Sequence, residues 1–162
     1  MELVIQSFVP HREHTESARV LDNKRLNKQL LEGRQIIGIL ATGKQKGAWV
    51  NHPAVLMWRG CEGELYRYLE DIKNECVKRG ISTEKNWSTI NQIKEEAVVW
   101  TEYRMPEWWT DNRVFQSHRM NLYRKDPEYY GQYGGAYQQP CCTRCQYFWP
   151  VKTHGYEVRI AA

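Results

Sequence analysis

The sequence lacks both a membrane-spanning segment and a secretion signal. No apolar run approaches the roughly 20 residues that a bilayer-spanning helix needs. The opening residues, MELVIQSFVP, have neither the basic start nor the long apolar core of a signal peptide. The five cysteines are an odd number, and with no sign of export they indicate reduced thiols rather than a disulfide framework. We therefore expect a cytoplasmic protein that does not act at a membrane.

Several catalytic signatures are also missing. There is no glycine-rich phosphate loop, no His-Glu-x-x-His and no Gly-x-Ser-x-Gly, the motifs of three common enzyme classes. The histidines at positions 11, 14, 52 and 118 are isolated, which favours hydrogen-bonding or capping roles over general-base roles.

One cysteine cluster bears on metal binding. Cys141-Cys142-Thr-Arg-Cys145 contains a single Cys-x-x-Cys knuckle, and His154 is the nearest candidate for a fourth ligand. Tetrahedral zinc sites usually pair two such knuckles, and the second is missing here. We expect no cofactor, with zinc at Cys141, Cys142, Cys145 and His154 as the weaker alternative.

What the sequence does contain is typical of one soluble globular domain. The 162 residues are 41% hydrophobic and 26% charged, enough to bury a core. Net charge is +4, a hint of a polyanionic partner. Seven tryptophans and ten tyrosines are an unusual aromatic content, and flat rings beside cations serve base stacking as readily as core packing.

Hydrophobic periodicity predicts an all-α fold. A first helix is expected over residues 16–41, capped by Thr15 or Ser17, and others after Pro53, from about Ser88, and over 113–125. No strand pattern exceeds a few residues. We predict a compact single-domain helical fold over residues 1–162, with its core at about 6–150, an irregular aromatic-rich C-terminal segment and a cysteine-rich knuckle at 140–150.

Glu32 is the feature around which a site could form. It is the only carboxylate between Asp22 and Glu62, an interval that carries seven lysines and arginines, and it shares a predicted polar helix face with Arg25, Lys28 and Gln29. It could form an ordinary surface salt bridge, the interpretation that the helix alone favours. It could instead be a catalytic carboxylate that nearby cations keep ionised at a nucleic-acid surface.

The predicted helix over 113–125 is the second candidate surface. It contains Arg113, Arg119, Arg124 and Lys125 and no acidic residue, and Tyr129, Tyr130 and Tyr133 follow it. Cations neutralise phosphates and rings stack on exposed bases, so the pattern fits nucleic-acid binding. It fits a solvated basic helix beside a tyrosine packing seam equally well.

Taken as an ordered set, several segments resemble one family, the bacterial and phage branch of the pyrimidine-dimer DNA glycosylases, to which phage endonuclease V belongs. The resemblance runs from about Gln6 to Pro150 and is carried by segments listed here in chain order: LDNKRLNKQ (21–29), Glu32, NHPA (51–54), MWRG (57–60), SHR (117–119), Asn121-Leu122, RKDPEYYG (124–131) and Trp149-Pro150.

The resemblance implies an all-α enzyme, bacterial or phage-encoded, that binds double-stranded DNA, releases a damaged base and breaks the strand by β-elimination. We expect the protein to be a monomer. Glu32 then falls at the catalytic carboxylate, which stabilises the positively charged sugar intermediate. Residues expected to contact DNA are Arg25, Lys28, Gln29, Arg119, Arg124, Lys125, Tyr129 and Tyr130. No metal is implied.

The sequence departs from the family pattern in two places. The family's nucleophile is an N-terminal α-amine, whereas five residues here precede the segment that resembles the usual start. The amine could lie elsewhere, the chain could be processed, or water could attack. Leu31 and Gln35 stand where the family has arginines, which leaves open a glycosylase for a hypermodified base in phage–host conflict. A non-catalytic DNA-binding module is the alternative outside the enzyme class.

Overall fold

Helices make up most of the molecule. The computed structural model describes residues 5–44, 46–47, 49–138, 146–151 and 155–160. The eight α-helices in those ranges are α1 His14–Val20, α2 Asn23–Thr42, α3 Pro53–Leu56, α4 Glu62–Lys78, α5 Glu84–Glu95, α6 Asn112–Lys125, α7 Pro127–Tyr130 and α8 Gly135–Gln138. Short 3₁₀ turns lie at Glu107–Thr110 and Gly131–Tyr133. The predicted all-α class is confirmed.

The helix predicted over residues 16–41 is two helices. The chain is extended at Leu21 and Asp22, and the Asp22 carboxylate accepts a hydrogen bond from the Arg25 backbone N–H, which caps the start of α2. The predicted caps at Thr15 and Ser17 were wrong. Helix α1 begins at His14 with no side-chain cap, and the Ser17 hydroxyl instead donates to the His11 carbonyl at 2.9 Å. A local capping signal therefore outweighed continuous helical periodicity.

Helix α2 is the centre of the packing. Its predicted apolar stripe is buried, with Leu26, Leu30 and Ile37 at 0% exposure and Leu40 at 5%. It packs against α4 and α5, while α1 packs against α4. At Gly33 the α2 backbone comes so close to α4 that an added Cβ would lie 2.1 Å from a Leu69 methyl carbon.

Other predicted helix ends agree with the structure within a few residues. The His52 ring accepts from the Ala54 backbone N–H at 3.0 Å and caps α3 just before Pro53. Helix α6 has the predicted end at Lys125, where Asp126 and Pro127 follow. Helix α5 starts earlier than predicted, at Glu84, and ends at Glu95.

The N-terminal segment before α1 is built into the core. Residues 5–9 form neither helix nor strand, yet all of them are buried. The Gln29 side chain on α2 accepts from the Phe8 backbone N–H and donates to the Gln6 carbonyl at 2.8 Å. The Tyr68 hydroxyl on α4 lies 2.8 Å from the same Gln29 amide oxygen. The Tyr68 hydroxyl also donates to the Phe8 carbonyl, so side chains of α2 and α4 both hold the backbone of the segment.

The C-terminal part is more regular than predicted. Strands β1, Gln146–Val151, and β2, Gly155–Ile160, form an antiparallel hairpin in which Gln146 is opposite Ile160. Strand β1 lies against α6. Residues 139–145 and 152–154 are outside the described ranges. Among the described helices, none is long and apolar enough to cross a membrane.

Candidate active site

A pocket of about 440 Å³ opens beside the first half of α2. Three parts of the chain enclose it: the buried N-terminal segment, α2 with its cap, and the end of α6. Its lining residues are Gln6, Phe8, Asp22, Lys24, Arg25, Lys28, Glu32, Lys125 and Asp126. The structure thus brings Glu32 together with Arg25, Lys28 and Lys125, all four of which the sequence had marked as functional.

Glu32 is a buried carboxyl group that finds no hydrogen-bond partner in the part of the chain that the structure describes. Glu32 is 4% exposed, and neither of its carboxyl oxygens accepts a hydrogen bond from a residue in the described ranges. The Gln6 backbone, which lies near it, does not meet the geometry of a hydrogen bond. A surface salt bridge, the interpretation favoured by the helix alone, is therefore wrong.

Burial controls the ionisation of Glu32. Loss of solvation raises the pKa of its carboxyl from the usual 4.5 to about 7, although Lys28, the Gln6 backbone and Lys125 all act to lower it. The expectation that neighbouring cations keep this group fully ionised is thus corrected, because desolvation is the larger effect. Near neutral pH the carboxyl group exists in both protonation states and can donate or accept a proton.

The cations around Glu32 are held in different ways. The Arg25 guanidinium donates to the Asp22 carboxylate at 3.0 Å and lies 5.9 Å from the centre of the Tyr130 ring. Lys28 is exposed, one helical turn before Glu32. The Lys125 side chain is exposed as a whole, but its Nζ lies 5.8 Å from the centre of the buried Phe8 ring. Burial of this end lowers the pKa of Lys125 to about 8, with contributions from Arg25, Arg124 and Lys28.

Two of the residues predicted to contact DNA are buried and hydrogen-bonded to other parts of the chain. Gln29 is 0% exposed and its amide is used entirely in holding the N-terminal segment, so it cannot reach a phosphate. Tyr130 is also 0% exposed; its hydroxyl bonds the Asp22 carboxylate at 2.5 Å and its ring stacks on Tyr137. The faces that carry these side chains are covered by segments distant in sequence, so the structure does not favour the predicted contacts of Gln29 and Tyr130 with DNA.

The remaining predicted contacts lie around the pocket rather than in it. Arg124 is exposed at the end of α6. Tyr129 is half-buried, with its ring edge-on to Tyr130. Arg119 is half-buried and donates to the Pro10 carbonyl at 2.8 Å, so part of its guanidinium already supports the chain entering α1. Contact of these three residues with DNA stays a prediction.

Sequence reasoning missed several residues of the pocket wall. Asp22 and Asp126 line it, and each also caps a helix, a signal that the sequence does contain. Gln6 and Phe8 come from the N-terminal segment, and no local pattern indicated that they would face Glu32.

Three of the four isolated histidines, at positions 11, 14 and 52, have the hydrogen-bonding or capping roles that the sequence favoured. The His14 ring lies 2.8 Å from the Glu64 carboxylate, and the His11 ring lies 2.6 Å from the Tyr137 hydroxyl. His52 caps α3. His118 is fully buried, and burial lowers its pKa to about 3, so its ring is neutral.

Metal binding is not supported within the described ranges, where no cluster of three or more His, Cys, Asp or Glu side chains is placed to hold an ion. The zinc candidates Cys141, Cys142, Cys145 and His154 lie outside those ranges. Cys61 and Cys76, which lie within them, are buried and form no disulfide with a described residue.

Comparison with known proteins gives one family. The family model described as pyrimidine dimer DNA glycosylase matches residues 5–89, more than half of the chain, including the N-terminal segment and the whole of α2. Neither the curated proteins nor the solved structures gave a match. The matched region contains the buried Glu32 and every pocket residue except Lys125 and Asp126. The chain belongs to the pyrimidine dimer DNA glycosylase family.

Proposed function

We propose that this protein excises a damaged base from double-stranded DNA, with the pyrimidine dimer as the first candidate, and that Glu32 is its catalytic residue. Family membership supports a DNA glycosylase that acts in repair. The observation that carries the assignment to Glu32 is its buried carboxyl group, which has no hydrogen-bond partner in the described chain and lines a pocket rich in cations. An unsatisfied buried carboxyl costs stability, and such strain is characteristic of functional sites.

The chemistry follows from the protonation behaviour of Glu32. Breaking a glycosidic bond leaves positive charge on the sugar, and a fixed carboxylate beneath it stabilises that oxocarbenium-like state. With a pKa of about 7, the same group can also transfer a proton during base departure. A site with little water strengthens both effects, since the low polarity that raises the pKa also reduces screening of the developing charge.

The cations of the pocket would position the DNA. Lys24, Lys28 and Lys125 line the pocket that would receive the nucleotide, and Arg124 is exposed beside it. Ammonium and guanidinium groups bind phosphates on either side of an extruded nucleotide. Extrusion costs a few kcal/mol and is cheapest at a damaged, poorly stacked step, so damage itself favours entry into the pocket.

Glu32→Gln tests the assignment, because the amide keeps the shape of the side chain but can neither carry the negative charge nor transfer the proton. We expect base release from a duplex with one thymine dimer to fall by at least ~100-fold. DNA affinity should stay unchanged or rise slightly, since removal of an anion from a cationic pocket does not weaken phosphate binding.

Glu70→Gln is the control, because Glu70 is an exposed α4 residue outside the pocket. Its rate should equal that of the unmodified protein. Equal rates for Glu32→Gln and the unmodified protein on every substrate would refute the assignment. If neither releases a dimer but both bind DNA, duplexes with modified bases are the next substrates to test.

We also propose that strand cleavage by β-elimination accompanies base release. Borohydride reduction during the reaction distinguishes the two routes open to the family's chemistry. A trapped protein–DNA adduct indicates an amine nucleophile and an imine. Base release with alkali-sensitive sites but without an adduct indicates attack by water and a glycosylase without lyase activity.

A further inference from the structure

Three lysines line the pocket that holds Glu32, and their surroundings differ. Lys24 and Lys28 are exposed residues of the first turns of α2. Lys125 is the last residue of α6, and its ammonium group lies 5.8 Å from the centre of the Phe8 ring, which is only 5% exposed. The nitrogen of Lys125 is therefore directed at an apolar part of the pocket wall, although the rest of the side chain is exposed.

We propose that Lys125 is the imine-forming amine of this site, with its Nζ bonding to C1′ of the abasic deoxyribose that remains after base release. The inference rests on the proposed glycosylase function, since base release leaves that sugar beside Glu32. It assigns the nucleophile to a side chain of α6, beyond the segment that the family model matches.

The position suits the reaction. Glu32 and Lys125 line the same pocket and are close enough for each to influence the ionisation of the other. Gln6 also lines the pocket, but its side-chain nitrogen belongs to an amide and is not nucleophilic. The amine and the carboxyl group thus reach one cavity from two separate helices, α6 and α2.

The surroundings also favour the neutral amine that imine formation requires. Burial of the ammonium group comes first, and Arg25, Arg124 and Lys28 add repulsion, so the pKa of Lys125 falls from 10.5 to about 8. At pH 7.5 roughly a quarter of such a lysine is neutral, against about a thousandth for an ordinary one.

The step balances without an oxidant or reductant. The Nζ lone pair attacks the C1′ aldehyde carbon, a C–N bond forms, and a proton passes from the nitrogen to the former carbonyl oxygen to give a neutral carbinolamine. The Glu32 carboxyl donates a proton to that hydroxyl, which leaves as water and gives a protonated imine. The Glu32 carboxylate then removes a C2′ proton, and the C2′–H electron pair forms the C2′–C3′ double bond as the C3′–O bond breaks and the phosphate leaves with the pair of that bond. Water then hydrolyses the imine and restores the amine.

A duplex with a single abasic site tests this directly, because it bypasses base release. The full chain is incubated with this duplex and borohydride, at protein concentrations that saturate the DNA. The trapped adduct is then digested, and the peptide that carries the sugar is identified by mass spectrometry. We expect the sugar on Lys125. In Lys125→Arg, which keeps the positive charge but has no nucleophilic amine, adduct and strand cleavage should fall by at least ~30-fold at equal DNA occupancy.

Lys94→Arg is the matched control, since the Lys94 ammonium also lies over an aromatic ring, 4.2 Å from the centre of Tyr66, but on α5 and outside the pocket. Its adduct yield should match that of the unmodified chain. A sugar on the N-terminal amine or on another lysine, or no adduct with saturated abasic DNA, would overturn the proposal. The proposed glycosylase function is tested separately. It fails if no base is released from duplexes that contain a lesion, regardless of the result with the abasic duplex.

Discussion

At Glu32, two physical effects act in opposite directions on one proton. The lysines of the pocket favour the carboxylate, whereas removal from water favours the neutral acid. Desolvation prevails and the pKa rises to about 7, because the carboxyl oxygens have no donor within the described chain to replace the lost water. The same imbalance that suits catalysis must destabilise the folded protein when the group is ionised.

Glu32 should therefore give a measurable pH dependence of stability. The folded-state pKa of about 7 is above the usual 4.5, so the folded chain holds this proton over a range where the unfolded chain has released it. The stabilisation is fully present below pH 4.5 and is lost as pH rises to about 7. The shift corresponds to a loss on the order of 3 kcal/mol.

Urea unfolding of the unmodified chain and Glu32→Gln between pH 4.5 and 8.5 measures this loss. We expect the free energy of unfolding of the variant, relative to the unmodified chain, to increase up to about pH 7 and then to level off. The comparison between pH values removes the constant cost of burying the glutamine amide. Curves that stay parallel over the whole range would show that Glu32 ionises normally.

At the scale of the element, α2 depends on a close approach to α4. Gly33 follows Glu32 directly, and an added Cβ would lie 2.1 Å from one Leu69 methyl carbon and 3.1 Å from its branch carbon. Rotation of the isopropyl end of Leu69 would move its two methyl carbons but would leave the contact with the branch carbon in place. Glycine lowers the intrinsic stability of a helix, but the close packing of α2 on α4 leaves no room for a side chain at position 33.

Gly33→Ala should destabilise the protein by roughly 1–3 kcal/mol, because α2 and α4 must move apart to admit the methyl group. Gly38→Ala is the control on the same helix: its Cβ would lie 3.6 Å from the nearest atom, on Ile93, which is an ordinary contact. There the gain in helix propensity should stabilise by about 0.5–1 kcal/mol. Thermal unfolding followed by circular dichroism measures both, and similar shifts for the two variants would contradict this packing argument.

At the scale of the whole molecule, the pocket depends on contacts between segments far apart in sequence. Gln29 on α2 bonds the backbone of Gln6 and Phe8, and Tyr68 on α4 contacts the same amide. Two of these residues, Gln6 and Phe8, form the pocket wall opposite Lys28 and Lys125. The buried Gln29 thus helps to hold the N-terminal segment in the site.

Gln29→Ala should destabilise the protein by about 2–4 kcal/mol, since a buried N–H and a buried carbonyl lose their partner. Base release should fall as well, because the loosened segment no longer closes the pocket around Glu32. Gln92→Ala removes an exposed glutamine whose amide donates to Glu96, and the stability of this variant should stay within about 0.5 kcal/mol of that of the unmodified chain. Chemical unfolding and the thymine-dimer assay together measure the effect; normal stability of Gln29→Ala would contradict the role given to this residue.

The sequence by itself determined the local features of this protein and its family. Periodicity and capping residues predicted the all-α class, the buried stripe of α2 and the end of α6, because these depend on neighbours within one or two helical turns. The isolation of Glu32 among cations, together with the ordered motifs around it, was enough to mark the catalytic candidate and the resemblance that the family match confirmed.

Only the tertiary structure decided which polar residues meet water and which meet protein. Helical spacing placed Arg25, Lys28, Gln29 and Glu32 on one face, but it could not show that the N-terminal segment covers Gln29 and Glu32 while Lys28 stays exposed. Nor could it show that Phe8 and Lys125, far apart in the chain, meet beside Glu32. Burial and pKa depend on contacts between distant segments, and those contacts exist only once the whole chain has folded.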